Sequence, residues 1–181
     1  MPDWPQGYIF PSSGSINNAS WASPASDFIH ISSLSLTANV AWPANNRAIY
    51  IPFIVEFPVV AYQMAVIVNT QSGNLDLGIY NVNGVRLVSI GSTAVGAAGF
   101  QAVNITDTTL TPGNYYMAMS CSTTAALFNG RSATSYSVGL RTVQGVQDED
   151  LGAVTLPDPA TFTNPGSAAI PNISIAMRST M

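Results

Sequence analysis

The sequence predicts an all-β protein, an antiparallel β-sandwich or jelly roll that follows an extended N-terminal arm. Three observations point there: apolar residues recur at every second position in successive runs, turn signals separate the runs, and the polar remainder is Ser, Thr, Asn and Gln. Side chains two apart share one face of a strand, so this alternation marks half-buried strands. Hydrophobic residues make up 47% of the 181 positions and charged residues only 8%, with no lysine. Helix surfaces are ordinarily built with Lys and Glu, whereas Thr, Val, Ile and Tyr suit strands. A chain of this length forms one domain and buries roughly two-thirds of its unfolded surface.

Residues 1–26 form the arm, rich in Pro, Ser and Asn and carrying Trp4, Tyr8, Phe10 and Trp21. Solvated tails lack such aromatics, so these four residues are the candidate interface through which the arm packs or binds a partner. The sandwich occupies residues 27–181. A first strand is expected around Asp27-Phe28-Ile29-His30-Ile31. In 48–55, Ile49, Ile51, Phe53 and Val55 fall on one face. In 61–68, Tyr62, Met64, Val66 and Val68 fall together, and in 74–80 Leu75, Leu77 and Ile79 oppose Asn74, Asp76 and Gly78.

Asn81-Val82-Asn83-Gly84 then supplies an Asn-Gly turn, whose two residues both accept positive φ, and predicts an antiparallel hairpin between 75–80 and 85–90. A small-residue loop at 91–99 precedes a strand with Gln101, Val103 and Ile105. Pro112-Gly113 turns the chain into the Tyr- and Met-rich strand 114–119, and Tyr136, Val138 and Leu140 mark one strand more. Residues 144–171 read as a Pro-rich loop holding Asp148-Glu149-Asp150. Ile173, Ile175 and Met177 alternate in a final strand. About eight to ten short strands with intervening turns describe a sandwich or jelly roll.

The five basic residues are arginines and the formal net charge is −4, so no basic patch exists to neutralise phosphates and nucleic-acid binding is not expected. The N-terminus shows neither a cationic start nor an apolar run of signal-peptide length, and no apolar window is long enough for a spanning helix. No membrane association is expected. Cys121 has no second cysteine to pair with, which fits assembly in a reducing cytoplasm. Sequons at Asn18, Asn104 and Asn172 read as chance matches in an Asn- and Ser-rich chain.

Candidate chemistry is sparse. His30 is the one histidine and has no paired nucleophile, so it reads as a strand or interface residue rather than a general base. Cys121 is expected in a Ser/Thr-rich loop with no neighbouring base to form thiolate, hence a structural thiol. Asp148, Glu149 and Asp150 lack the alternating spacing and glycine of a calcium loop and read as a solvated loop. Asp27, Glu56, Asp76, Asp107 and Asp158 are scattered, and their convergence as a glycosidase pair is not readable from sequence. Trp4, Trp21 and Trp42 with Tyr50 and Tyr62 could stack on sugars, though core and subunit-contact roles are commoner for such residues. No catalytic residue, metal or cofactor is assigned.

The stretch 50–120 resembles a jelly-roll module of tailed-bacteriophage virion structural proteins, itself related to carbohydrate-binding-module-like sandwiches. The resemblance lies in Tyr50-Ile51-Pro52-Phe53 before Pro58-Val59, Gly73-Asn74-Leu75-Asp76-Leu77-Gly78-Ile79-Tyr80, Asn83-Gly84-Val85-Arg86-Leu87, and 109–118 around Pro112-Gly113. It implies capsid decoration (cement) or head-fibre proteins, and homotrimers as a frequent state. It carries over no functional residues.

The expected function is therefore a non-enzymatic virion structural protein, on the capsid surface or the tail and assembled in the host cytoplasm. A capsid decoration protein is the first reading, with the major capsid protein, other virion proteins and further copies of the chain as partners. A receptor-binding tail or fibre adhesin that recognises cell-surface glycans is the alternative, and a small hydrolase the third.

Overall fold

The computed structural model describes residues 19–20, 28–31, 37–131, 145–163 and 170–180. Among these there is no helix, and the strands form two antiparallel sheets packed face to face, as the alternation predicts. The first sheet, A, contains β1 (Ala19–Ser20), β2 (Phe28–Ile31), β3 (Thr37–Ala41), β5 (Val59–Thr70), β9 (Gly99–Leu110), β11 (Leu127–Arg131), β13 (Ile170–Pro171) and β14 (Ile173–Ser179). The second, B, contains β4 (Arg47–Val55), β6 (Asn74–Asn81), β7 (Arg86–Ser89), β8 (Thr93–Ala94), β10 (Gly113–Cys121) and β12 (Gln147–Asp150).

β5 is the axis of sheet A. β9 runs along one side of it, while β14 and then β11 share the other. β2 flanks β14, β1 flanks β2, and β3 flanks β11. Sheet B has the order β12-β4-β10-β6-β7, with β8 also on β6. Most connections between the described strands cross from one sheet to the other, and Pro112-Gly113 does not join hairpin partners but carries the chain from β9 in one sheet to β10 in the other.

The inner faces bring Ile49, Ile51, Phe53, Leu75, Leu77, Ile79, Met117 and Met119 of sheet B against Met64, Val66, Val68, Ile105, Ile173, Ile175 and Met177 of sheet A. Full burial of each such side chain contributes about 1.5–3 kcal/mol, which makes this seam the main source of stability. Trp42 closes one end of it, edge-on to Phe128 with ring centroids 5.9 Å apart, and its Nε1–H donates to the Arg47 carbonyl at 2.9 Å.

Several expectations are corrected. Tyr62 does not share a face with Met64: the pairings to both neighbouring strands skip it, so a bulge resets the phase and leaves Val59, Ala61, Met64, Val66 and Val68 inward. Tyr62 instead receives the Arg178 guanidinium 5.4 Å from its ring centroid. The β6–β7 hairpin forms as predicted, but only Gly84 has positive φ (81°), and the loop spans Val82, Asn83 and Gly84 between the paired residues Asn81 and Val85. The Asn81 side chain supports it by accepting from the Asn83 and Val85 N–H groups.

Cys121 ends β10 rather than lying in a loop, and it is fully buried. Asp148-Glu149-Asp150 is not a solvated loop: it forms most of β12, paired with Arg47–Tyr50 of β4, because Arg47 and Tyr50 supply partners for its side chains. The expected strand at 136–140 and the arm residues Trp4, Tyr8, Phe10 and Trp21 lie outside the described residues. At 19–20 the arm region already pairs with β2.

Candidate functional site

The outer face of sheet B holds the densest polar arrangement among the described residues. Alternation turns Ala48, Tyr50 and Pro52 of β4, Asp76, Gly78 and Tyr80 of β6, and Tyr116, Ala118 and Ser120 of β10 away from the main core. The chain covers this face itself. Residues 151–163 leave β12 beside Asn46, cross β10 and β6 to the β6–β7 hairpin, and return to bridge Asp148 through Thr163. This is an Ω-type strap whose ends lie together. Leu156 is its apolar anchor, in a second cluster with Ala48, Tyr50, Tyr80 and Ala118, against which Leu151, Ala160 and Phe162 pack. The rings of Tyr50 and Tyr80 meet edge to face at 5.3 Å, and Phe162 lies 5.1 Å from Tyr50 and 4.7 Å from Tyr116.

Asp76, Ser120, Tyr50 and Tyr80, the polar side chains buried deepest under the strap, each have a partner, as buried polar groups require. The Asp76 carboxylate, 0% exposed, accepts the Leu156 N–H at 2.9 Å and the Ser89 hydroxyl at 2.8 and 2.9 Å. The Ser120 hydroxyl donates to the Val154 carbonyl, the Tyr80 hydroxyl to Pro157 and the Arg86 guanidinium to Leu156. The Arg86 N–H donates to Asp158 at 3.2 Å. Glu149 accepts from the Tyr50 hydroxyl at 2.9 Å and from the Thr161 N–H at 3.0 Å.

Two glycines permit this fit. At Gly84 a Cβ would stand 2.6 Å from the Ala160 carbonyl oxygen, and at Gly78 one would stand 2.8 Å from the Val88 carbonyl oxygen and 3.0 Å from Leu156. The Ala160 N–H donates to the Gly84 carbonyl at 2.8 Å, so the hairpin tip and the strap meet backbone to backbone.

Burial raises the Asp76 carboxyl above the ordinary carboxylate range, although the bonds from Leu156, Ser89 and Gly91 and the charge of Arg86 pull it down. Burial likewise drives the Tyr50 and Tyr80 hydroxyls far above the usual phenol range. These phenols are held neutral, and the Ser89 hydroxyl beside Asp76 is taken up in donating to that carboxylate. The arrangement has the chemistry of a latch: it fixes one segment of chain on one face of a sheet.

Of the other candidates, His30, Cys121 and Asp107 lie away from this face, while Asp148 and Asp150 meet at Arg47 at its edge. His30 lies in β2, opposite Ile175. The Cys121 thiol contacts the Thr123 carbonyl oxygen at 3.4 Å, and burial raises its pKa. Arg47 binds Asp150 through two bonds of 2.8 and 3.1 Å and stands 3.8 Å from Asp148. The pairing lowers the pKa of Asp150 and raises that of Arg47. Asp107 pairs with Arg178. No three acidic, histidine or cysteine side chains converge as a metal site among the described residues. Trp42 and Tyr50, considered above for sugar stacking, are both buried and present no open ring face.

The latch escaped the sequence reading, which placed Asp76 on a solvent side. One signal was present: Ala48, Tyr50, Tyr116 and Ala118 make both faces of β4 and β10 largely apolar, the mark of strands covered on both sides.

Fold and site together define an all-β sandwich that seals one outer face with its own loop. No protein-family model, curated protein or solved structure matches the chain.

Proposed function

We propose that the chain is a non-enzymatic structural protein of a bacteriophage particle, a capsid decoration protein that stabilises the assembled shell. The observation that carries this reading is the latch: the most elaborate polar cluster among the described residues serves to hold the chain's own strap. The virion assignment itself rests on the resemblance over 50–120. A surface of Ser, Thr, Asn and aromatic residues without lysine supports subunit contact, since such groups cost less to desolvate than ammonium ions.

The proposed partners are the major capsid protein, neighbouring virion proteins and further copies of the chain, with the arm residues Trp4, Tyr8, Phe10 and Trp21 as contacts. A protein that binds only the assembled shell raises that state's stability by mass action. Particles stripped of it should break at lower temperature, and adding it back should restore them while host adsorption stays unchanged. Stripped particles that keep full stability but no longer attach to cells would replace this reading with the adhesin.

A further inference from the structure

We infer that the outer edge of β9 is a self-association surface, where two copies of the chain join their A sheets antiparallel about a two-fold axis. β9 is twelve residues long, and among the described residues its only strand partner is β5. Half of the backbone N–H and C=O groups of such a strand point away from its sheet, ready to pair with another strand.

Proteins ordinarily protect an edge of this kind with lysine, proline or an inward charge. From Gly99 to Thr106 the sequence Gly-Phe-Gln-Ala-Val-Asn-Ile-Thr contains none of these. The edges of sheet B are treated differently. Thr163 bridges the outer side of β12, and Asp158 caps the Arg86 N–H on β7. The bulge opposite Tyr62 interrupts β9 beyond Asn104, which leaves 99–104 as the regular, open part.

Charge selects a second copy as the occupant. The protein is net negative, so two copies repel wherever their acids approach. No charged residue occurs between Arg86 and Asp107, nor anywhere in β5 beneath the edge, and Asp107 is already paired with Arg178. A two-fold centred near Ala102 sets Ala102 against its own copy, Gln101 against Val103, and Phe100 against Asn104, with no charge in the paired segment. Phe100 is 66% exposed beside its cross-strand neighbour Ile67, and a neighbouring strand would cover it. An edge of this length buries less than the roughly 1,200 Å² of a standard interface, which makes the dimer weak and concentration-dependent. A two-fold contact closes at two copies, in contrast to the trimer that the resemblance implies.

The test is sedimentation velocity of the full chain across the micromolar range, with Ala102→Glu, Ala102→Lys and, as a control on the strap, Ala153→Glu. Ala102 and Ala153 are both exposed, and circular dichroism confirms that each variant is folded. Wild type and Ala153→Glu should show a monomer–dimer equilibrium. Each Ala102 variant alone should weaken dimerisation by about tenfold or more, because like charges then meet at the axis. An equimolar mixture of the Glu and Lys variants should recover it. A wild type that stays monomeric, a trimer indifferent to Ala102, or a mixture that fails to recover would each overturn the inference.

Discussion

The Asp76 carboxylate accepts the backbone N–H of Leu156 at 2.9 Å across 80 positions of sequence, and this bond ties the strap to the strand that it covers. Asp76→Ala leaves that N–H and the Ser89 hydroxyl without their acceptor, which should cost about 2–3 kcal/mol of unfolding free energy in urea titrations. A loss within error of zero would show that the carboxylate is dispensable.

Asp76→Asn tests the charge separately. The folded pKa of Asp76 is raised by burial, so the folded state binds this proton more tightly than the unfolded chain does. Its contribution to stability is therefore complete below the ordinary Asp value and is lost as pH rises through the raised value. Asparagine has no such loss. The stability of Asp76→Asn relative to wild type should climb as pH rises through the window just above the ordinary Asp range, and a flat or falling difference would contradict the assignment.

Leu156→Ala removes the apolar anchor of the strap, where truncation of a buried leucine typically costs about 2–4 kcal/mol. The loss should be local first: hydrogen exchange should speed up at the Leu156 and Ala160 amides while the β4, β6 and β10 amides keep their protection. Uniform acceleration would mean that the strap and the sheet open as one unit. Gly78→Ala should destabilise by about 1–3 kcal/mol, since the Val88 backbone cannot move aside as a flexible side chain could.

Cys121 should resist a water-soluble thiol reagent in the native protein and react fully in denaturant, because it is buried and its pKa is raised. Rapid native labelling would place it at an accessible position.

Asp150→Asn should cost less than about 1 kcal/mol, and added salt should shrink even that, because the Arg47–Asp150 pair is screened by water. Arg47 lowers the Asp150 pKa, so the pair contributes above the ordinary carboxylate range and is lost as pH falls through the lowered value. Urea midpoints of the two proteins should converge in acid.

The inner faces were readable from sequence because they depend on local period: Ile49, Leu75 and Ile173 lie where alternation puts them. The Tyr62 bulge was not, since it becomes visible only when the registers of β9 and β14 against β5 are known. The latch was illegible for a related reason. Asp76 and Gly78 look like solvent-side residues until a segment some 80 positions later lies over them, and a Pro-rich run gives no periodicity from which to place Leu156. The acidic run misled because the partners of Asp150 and Glu149 are Arg47 and Tyr50, about a hundred positions away.

β14 lies inside sheet A, between β2 and β5. Until translation has passed Ser179, β5 lacks its neighbour from Val59 to Val66 on one side, and Met64 and Val66 face a seam missing Ile173, Ile175 and Met177. The nascent chain can form hairpins such as β6–β7 early, yet the sandwich closes only after synthesis of this segment, as expected of folds dominated by distant pairings. A stop codon placed even a few residues upstream of Ile173 should therefore yield an aggregating product, because the inner face of β5 at Met64 and Val66 would stay uncovered.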